Sequence, residues 1–247
     1  MKHILSISIV LVCALKLDAQ VFLQRYSESV YICEDHYFPR ENSLVYVGDE
    51  YITIIGATWC PTSAKALHDS IAKVIDKPVL EVINTNYHPD RAGGNPYWHS
   101  IGCEIHSTQK TYDLLRSDWD TICQFVRNSS PGYPDIPLVL PSKIHSENFK
   151  LQEGKIEVLY FGPSHTEDGV FVYLPEEKVL YGGCILKPFL GNLDQANIQE
   201  YPKTLHKLKQ YNLEINTIIA GHGNSINDET LIDNYLSMLK EYSGTNH

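Results

Sequence analysis

The chain has 247 residues, 43% of them hydrophobic and 20% charged, which is enough to bury a substantial core and excludes extended disorder. A formal net charge of -10 argues against binding nucleic acid or another polyanion, and no block of like charges forms an interaction tail. The first twenty residues, MKHILSISIVLVCALKLDAQ, read differently from the rest: a short basic start, an apolar run over 4–15, then Leu17-Asp18-Ala19. That order predicts a signal peptide over 1–19, cleaved after Ala19, and a periplasmic or secreted mature protein. The run is too short for a membrane span, and Val12 before Cys13 is too bulky for lipoprotein processing. Losing Lys2, Lys16 and Asp18 removes two cations and one anion, so the mature charge is about -11.

In chain order, strands are predicted over 29–32, 44–47 and 51–55, then a helix over 62–75. A strand over 79–83 follows, and an amphipathic helix over 108–126. The stretch SSPGYPDIP, residues 129–137, is the clearest break. Beyond it come strands over 156–160, 170–174 and 178–181, a helix over 201–211, a strand over 217–220 and a helix over 228–242. Thr62 and Asp228 suit N-caps. The two halves carry similar mixtures of elements. They predict one domain over 20–247 in which each half contributes a β-sheet with helices outside, an α/β class four-layer α/β/β/α sandwich.

Candidate metal ligands gather at the ends of predicted strands. Asn86, His88 and Asp90 follow the strand over 79–83, and His165 lies in the loop FGPSHTEDG. Cys184 follows a strand in VLYGGCILK, and His222 ends another in TIIAGHGNS. Imidazole, thiolate and carboxylate are the donors that zinc prefers, and strand ends can aim them into one cleft. Taken singly, each is more often an ordinary surface or core residue; their order and contexts together point to a metal site. Five cysteines remain after leader removal (Cys33, Cys60, Cys103, Cys123 and Cys184), so at least one thiol is unpaired, and metal ligation is one occupation open to it.

Asn86-Tyr87-His88-Pro89-Asp90-Arg91-Ala92-Gly93-Gly94, Gly162-Pro163-Ser164-His165-Thr166, Cys184-Ile185-Leu186-Lys187, Gly191-Asn192 and Gly221-His222 together resemble the class B metallo-β-lactamases, most of all their B2 subclass of mono-zinc carbapenemases. The resemblance runs from about residue 31 to 242. It implies the sandwich fold and hydrolysis of the β-lactam amide, mainly of carbapenems, giving antibiotic resistance. It assigns Asp90, Cys184 and His222 to one zinc ion per chain. The family's three-histidine site here holds Asn86 with His88 and His165, so a second zinc is expected to bind weakly there and inhibit. An arginine after the aspartate, where glyoxalase-like and RNase Z-like relatives place a histidine ligand, separates the chain from those branches.

The same resemblance gives catalytic roles to His88, Asp90 and His165, with the general base open between His88 and Asp90. It places Lys187 on the substrate carboxylate and Asn192 near the β-lactam carbonyl, adds Asn86 and Trp59 to the substrate-binding residues, and sets Arg91 beneath the ligand cysteine. Pro89, Gly183 and Gly223 depart from the subclass pattern, and the two glycines are closer to two-zinc relatives. A broad-spectrum two-zinc enzyme is therefore the alternative, followed by a non-catalytic periplasmic zinc-binding protein. The expected partner is a small β-lactam, with no nucleic acid, no stable membrane association, and a monomeric state.

Overall fold

The computed structural model describes residues 20–146 and 148–245. The predicted leader over 1–19 lies outside them. The first half runs β1 (Val21–Arg25), β2 (Val30–Asp35), β3 (Glu41–Val47), β4 (Ile52–Ile55), α1 (Pro61–Ile71), β5 (Val79–Ile83), α2 (Pro89–Ala92), α3 (Asn95–Ser100), β6 (Glu104–Thr108), α4 (Gln109–Ser129) and β7 (Lys143–His145). The second runs β8 (Phe149–Leu151), β9 (Ile156–Leu159), β10 (Phe171–Leu174), β11 (Val179–Gly183), α5 (Tyr201–Gln210), β12 (Thr217–Ala220), β13 (Ile226–Asn227) and α6 (Thr230–Thr245).

Each half forms one sheet. The first is ordered β1-β2-β3-β4-β5-β6-β7, antiparallel through β4 and parallel from β4 to β7. The second is ordered β13-β12-β11-β10-β9-β8, with only the β11–β12 pair parallel. Strand β10 shows why the layers stack. Phe171 and Tyr173 face the cluster shared with α5 and α6, while Val172 and Leu174 face the other sheet. A strand buried on both faces is apolar throughout, as its sequence FVYL is. The first sheet likewise packs Val45, Ile54 and Val82 against Ala64 and Leu67 of α1, and Leu44, Ile55 and Ile83 against the second sheet. The α/β/β/α sandwich follows from these two-sided strands.

Local chemistry sets the element boundaries. Helix α1 begins one residue before the expected start because Pro61 occupies its first turn, where a missing N–H costs nothing, and Ser63 Oγ accepts from Cys60 N at 3.1 Å. Thr108 caps α4 instead of opening it, its Oγ1 accepting from Thr111 N at 3.2 Å. Asp228 accepts from Thr230 N at 2.9 Å, at the head of α6. Strands β1, β6, β7, β8 and β13 and helices α2 and α3 were not expected; several are only two to four residues long, too short to show a period.

The space between the sheets closes at one side over His106 of β6, which stacks against His145 of β7 (centroids 5.4 Å apart), while His145 stacks on Phe149 of β8 (3.7 Å). Burial, reinforced by the neighbouring imidazole, lowers His106 to a pKa of about 4. The ring is thus neutral in the fold, and its contribution to stability is present above the unfolded value of 6.5 and lost as pH falls toward 4. Urea unfolding of wild type and His106→Asn from pH 7 to 4 should show the advantage of the wild type shrinking on acidification. Phe171, fully buried, should cost about 3–5 kcal/mol on replacement by alanine in the same assay at pH 7.

Candidate metal centre and active-site cleft

Strands β5, β11 and β12 end at one place, and each releases a potential ligand there. After β5 the chain turns through 84–88. Asn84 Nδ2 donates to Arg91 O (2.8 Å) and Asn95 Oδ1 (2.9 Å), and Asn86 Oδ1 accepts from His88 N (3.0 Å). Helix α2 then presents Asp90 in its first turn. Gly93 and Gly94 bring this helix against the loop after β4: a Cβ at either would lie 2.0 Å from Trp59 O or 1.9 Å from Ala57 O. No larger residue fits there.

Asp90, Cys184 and His222 converge. Cys184 Sγ is 3.0 Å from Asp90 Oδ2 and 3.7 Å from His222 Nε2, and His222 Nε2 is 3.0 Å from Asp90 Oδ2. His222 Nδ1 lies 2.9 Å from Arg40 O, which leaves Nε2 to face the other two. Zinc bonds of about 2.0–2.3 Å in a tetrahedron place donor atoms roughly 3.3–3.8 Å apart, so this thiolate, imidazole and carboxylate need little adjustment to hold such an ion. Among the described residues one other trio comes within 4.8 Å, namely His88, His165 and the same Cys184. The rings of His88 and His165 meet edge-on, 5.3 Å apart at 84°, and His88 Nε2 is buried with no hydrogen-bond partner.

Arg91, fully buried, lies beneath this group. Its Nε donates to Cys184 Sγ (3.1 Å), one terminal nitrogen to Glu41 and to Asn42 O (3.0 Å), and the other to Gly221 O (2.9 Å) while lying 3.2 Å from Asp90 Oδ2. The planar fork thereby joins two ligands to β3 and to the loop that carries the third. Burial alone would raise Asp90, but Arg91 and His222 hold its carboxyl well below the usual range. Burial pushes Glu41 up to about 8 against the pull of Arg91. The start of β3 completes the support: Asn42 N donates to Gly221 O (2.8 Å), Asn42 Nδ2 to Ala220 O (2.8 Å), and Glu41 forms a backbone bridge with His222.

The ligands open into a cleft of about 440 Å³. Its polar end holds His88, Asp90, His165, Cys184, Lys187 and His222; its apolar wall is Trp59 with Ile122, Phe125 and Val126 of α4. Lys187 is 3% exposed, with Nζ 3.5 Å from His165 Nδ1. Burial and then the Lys187 cation keep His165 well below the ordinary imidazole value, so it is neutral. Trp59 both lines the cleft and packs in the core beside Tyr133, its Nε1 donating to Pro39 O. Asn192 lies at the mouth, where its amide closes a turn on Asp194. Asn86 does not line the cleft; its side-chain oxygen is turned onto its own loop. Cys33, Cys60, Cys103 and Cys123 are buried free thiols, as is Cys184.

Residues 37–222 match the family model of the metallo-beta-lactamase superfamily. The chain belongs to this superfamily. It is 31% identical over 204 residues to "Metallo-beta-lactamase type 2" of Bacillus cereus, covering 81% of this chain and 73% of that protein. It is 30% identical over 186 residues to "Metallo-beta-lactamase IND-1" of Chryseobacterium indologenes, covering 73% and 71%. Among solved structures, a metallo-beta-lactamase from Pontibacter korlensis superposes with a TM-score of 0.76 at 24% identity over 90% of this chain and 99% of that one, a likeness of fold.

Seen as a superfamily member, the chain brings together all the predicted site residues except Asn86 around one cleft. Sequence reasoning missed Glu41, Tyr87, Gln195 and the α4 wall. Glu41 lies at the buried start of β3, three residues ahead of the expected strand. Replacing Arg91 by alanine leaves the ionised Asp90 buried without its cation and should cost about 3–5 kcal/mol in urea unfolding, with loss of bound metal on dialysis. Arg91→Lys, lacking the fork, should restore only part of either.

Proposed function

We propose that this protein hydrolyses the amide bond of β-lactams, carbapenems above all, with one zinc ion held by Asp90, Cys184 and His222. The observation that carries the reading is the mutual approach of those three donor atoms beside a buried lysine and two histidines. The relatives' name, metallo-beta-lactamase, supplies the reaction. Bound zinc would serve as a Lewis acid, stabilising negative charge as the ring nitrogen departs.

The chain's own residues do the rest. Lys187, desolvated at the floor of the cleft, pairs with the carboxylate that β-lactams carry; removal from water strengthens that attraction. Neutral His165 donates to the lactam carbonyl, where oxyanion charge develops. His88 is the better placed general base, because its Nε2 has no partner while Asp90 Oδ2 is held by Arg91 and His222. The apolar wall of Trp59 and α4 receives the uncharged face of the substrate. Asn86 supports the one-ion reading, since a neutral amide is a poor ligand beside imidazole and here serves its own loop. A two-zinc enzyme is the second reading, favoured by the proximity of His88, His165 and Cys184.

Export accords with the leader-like first nineteen residues. Among the described residues no helix is long and apolar enough to cross a membrane.

Carbapenem hydrolysis by metal-free protein, followed as zinc is added, tests the reading. Activity peaking near one equivalent and then falling is expected. A continued rise to two equivalents overturns the one-zinc mechanism and returns His88 and His165 to ligand duty, and no hydrolysis at any level leaves a zinc-binding protein without catalysis. Lys187→Ala should raise KM roughly 10- to 100-fold, the worth of a hydrogen bond to a charged group.

A further inference from the structure

One lip of the cleft is the segment 191–196, which carries Asn192 and Gln195 and has no regular secondary structure. Its flanks are fastened. On one side Tyr235 OH donates to Leu190 O at 2.9 Å; on the other Asn197 N donates to Ser164 O at 2.9 Å, and Asn197 Nδ2 to Glu167 Oε1 at 2.9 Å. Within the lip the hydrogen bonds are local: Asp194 N to Asn192 Oδ1, Asn192 Nδ2 to Asp194 Oδ2, and Ala196 N to Leu193 O. Among the described residues, one hydrogen bond joins residues 191–196 to anything outside that segment: Tyr87 OH to Gln195 Oε1, at 2.6 Å.

Tyr87 is suited to hold that bond. It stands between Asn86 and His88 on the loop that leads to Asp90. The residue is 7% exposed, its side chain packed among Leu115, Trp119 and Ile122 of α4, and its ring meets the His88 ring edge-on at 4.9 Å. The hydroxyl is therefore carried on a rigid base, and the lip hangs from it. We propose that Tyr87 is a positioning residue acting through Gln195: its hydroxyl latches residues 191–196 to the loop bearing His88 and Asp90, and so sets how tightly the cleft holds its substrate. This rests on the β-lactamase reading of the same cleft. Because the bond acts on the binding lip and leaves the ligands in place, its loss weakens substrate binding more than it slows the chemical step.

The test uses zinc-loaded Tyr87→Phe, Gln195→Ala and the double variant. Steady-state carbapenem hydrolysis should show KM raised roughly three- to tenfold in each single variant, kcat altered less than KM, and a double variant no worse than either single one. In the substrate-free proteins, hydrogen exchange at the amides of Asp194 and Ala196 should accelerate while zinc content stays at the wild-type level. Additive effects of the two substitutions would overturn the latch, because Gln195 would then act on substrate independently of Tyr87. Unchanged exchange and KM would overturn it too, as would loss of zinc in Tyr87→Phe with none in Gln195→Ala. If the wild type hydrolyses no β-lactam, the proposed activity fails, and the exchange comparison still decides whether the latch exists. Gln195 is partly exposed, so its truncation reports even if Tyr87→Phe fails to fold.

Discussion

A single guanidinium, buried completely, is what the rest of the site depends on. Arg91 touches Cys184, Asp90 and Glu41 and donates to backbone carbonyls on β3 and on the loop after β12. Desolvating it is costly unless its donors are satisfied and its charge is matched, and both conditions are met here. The consequence runs outward. The carboxylate of Asp90 beside it stays ionised. Glu41 completes the arrangement by accepting from one terminal nitrogen of the fork on the side away from the cleft.

The sandwich supplies the address for that cation. Two sheets packed face to face release the ends of β5, β11 and β12 at one place, so ligands far apart in sequence arrive on separate, rigid supports. The tie between β3 and the Gly221–His222 turn then crosses from one sheet to the other, so the metal loop cannot shift without disturbing the inter-sheet core. Fold stability and site geometry are coupled by construction.

The layers, and the strand ends at which Asp90, Cys184 and His222 converge, were legible in the chain for the same reason: each rests on a local pattern. FVYL reads as a two-faced strand, and His222 between glycines reads as a strand end with room for close approach. What was hidden is long-range. Nothing local tells that Glu41 meets Arg91 fifty positions away, or that Tyr87 meets Gln195 across 108. The resemblance placed Asn86 among the substrate contacts, yet an Asx-type bond from His88 N occupies its oxygen. The short edge strands β7 and β8 escaped because three residues cannot display a period.

The two walls of the cleft differ in kind. One is the middle and end of α4, a 21-residue helix whose Leu115, Trp119 and Cys123 are locked into the core, so that Ile122, Phe125 and Val126 stand on a fixed surface. The other is the coil segment 191–196. A molecule entering this cleft therefore loses little entropy in ordering the helical side and more in ordering the other. Shape selectivity accordingly resides on the α4 side and tolerance on the lip side: groups that project toward the helix are sorted by size, and groups that project toward the lip are accommodated.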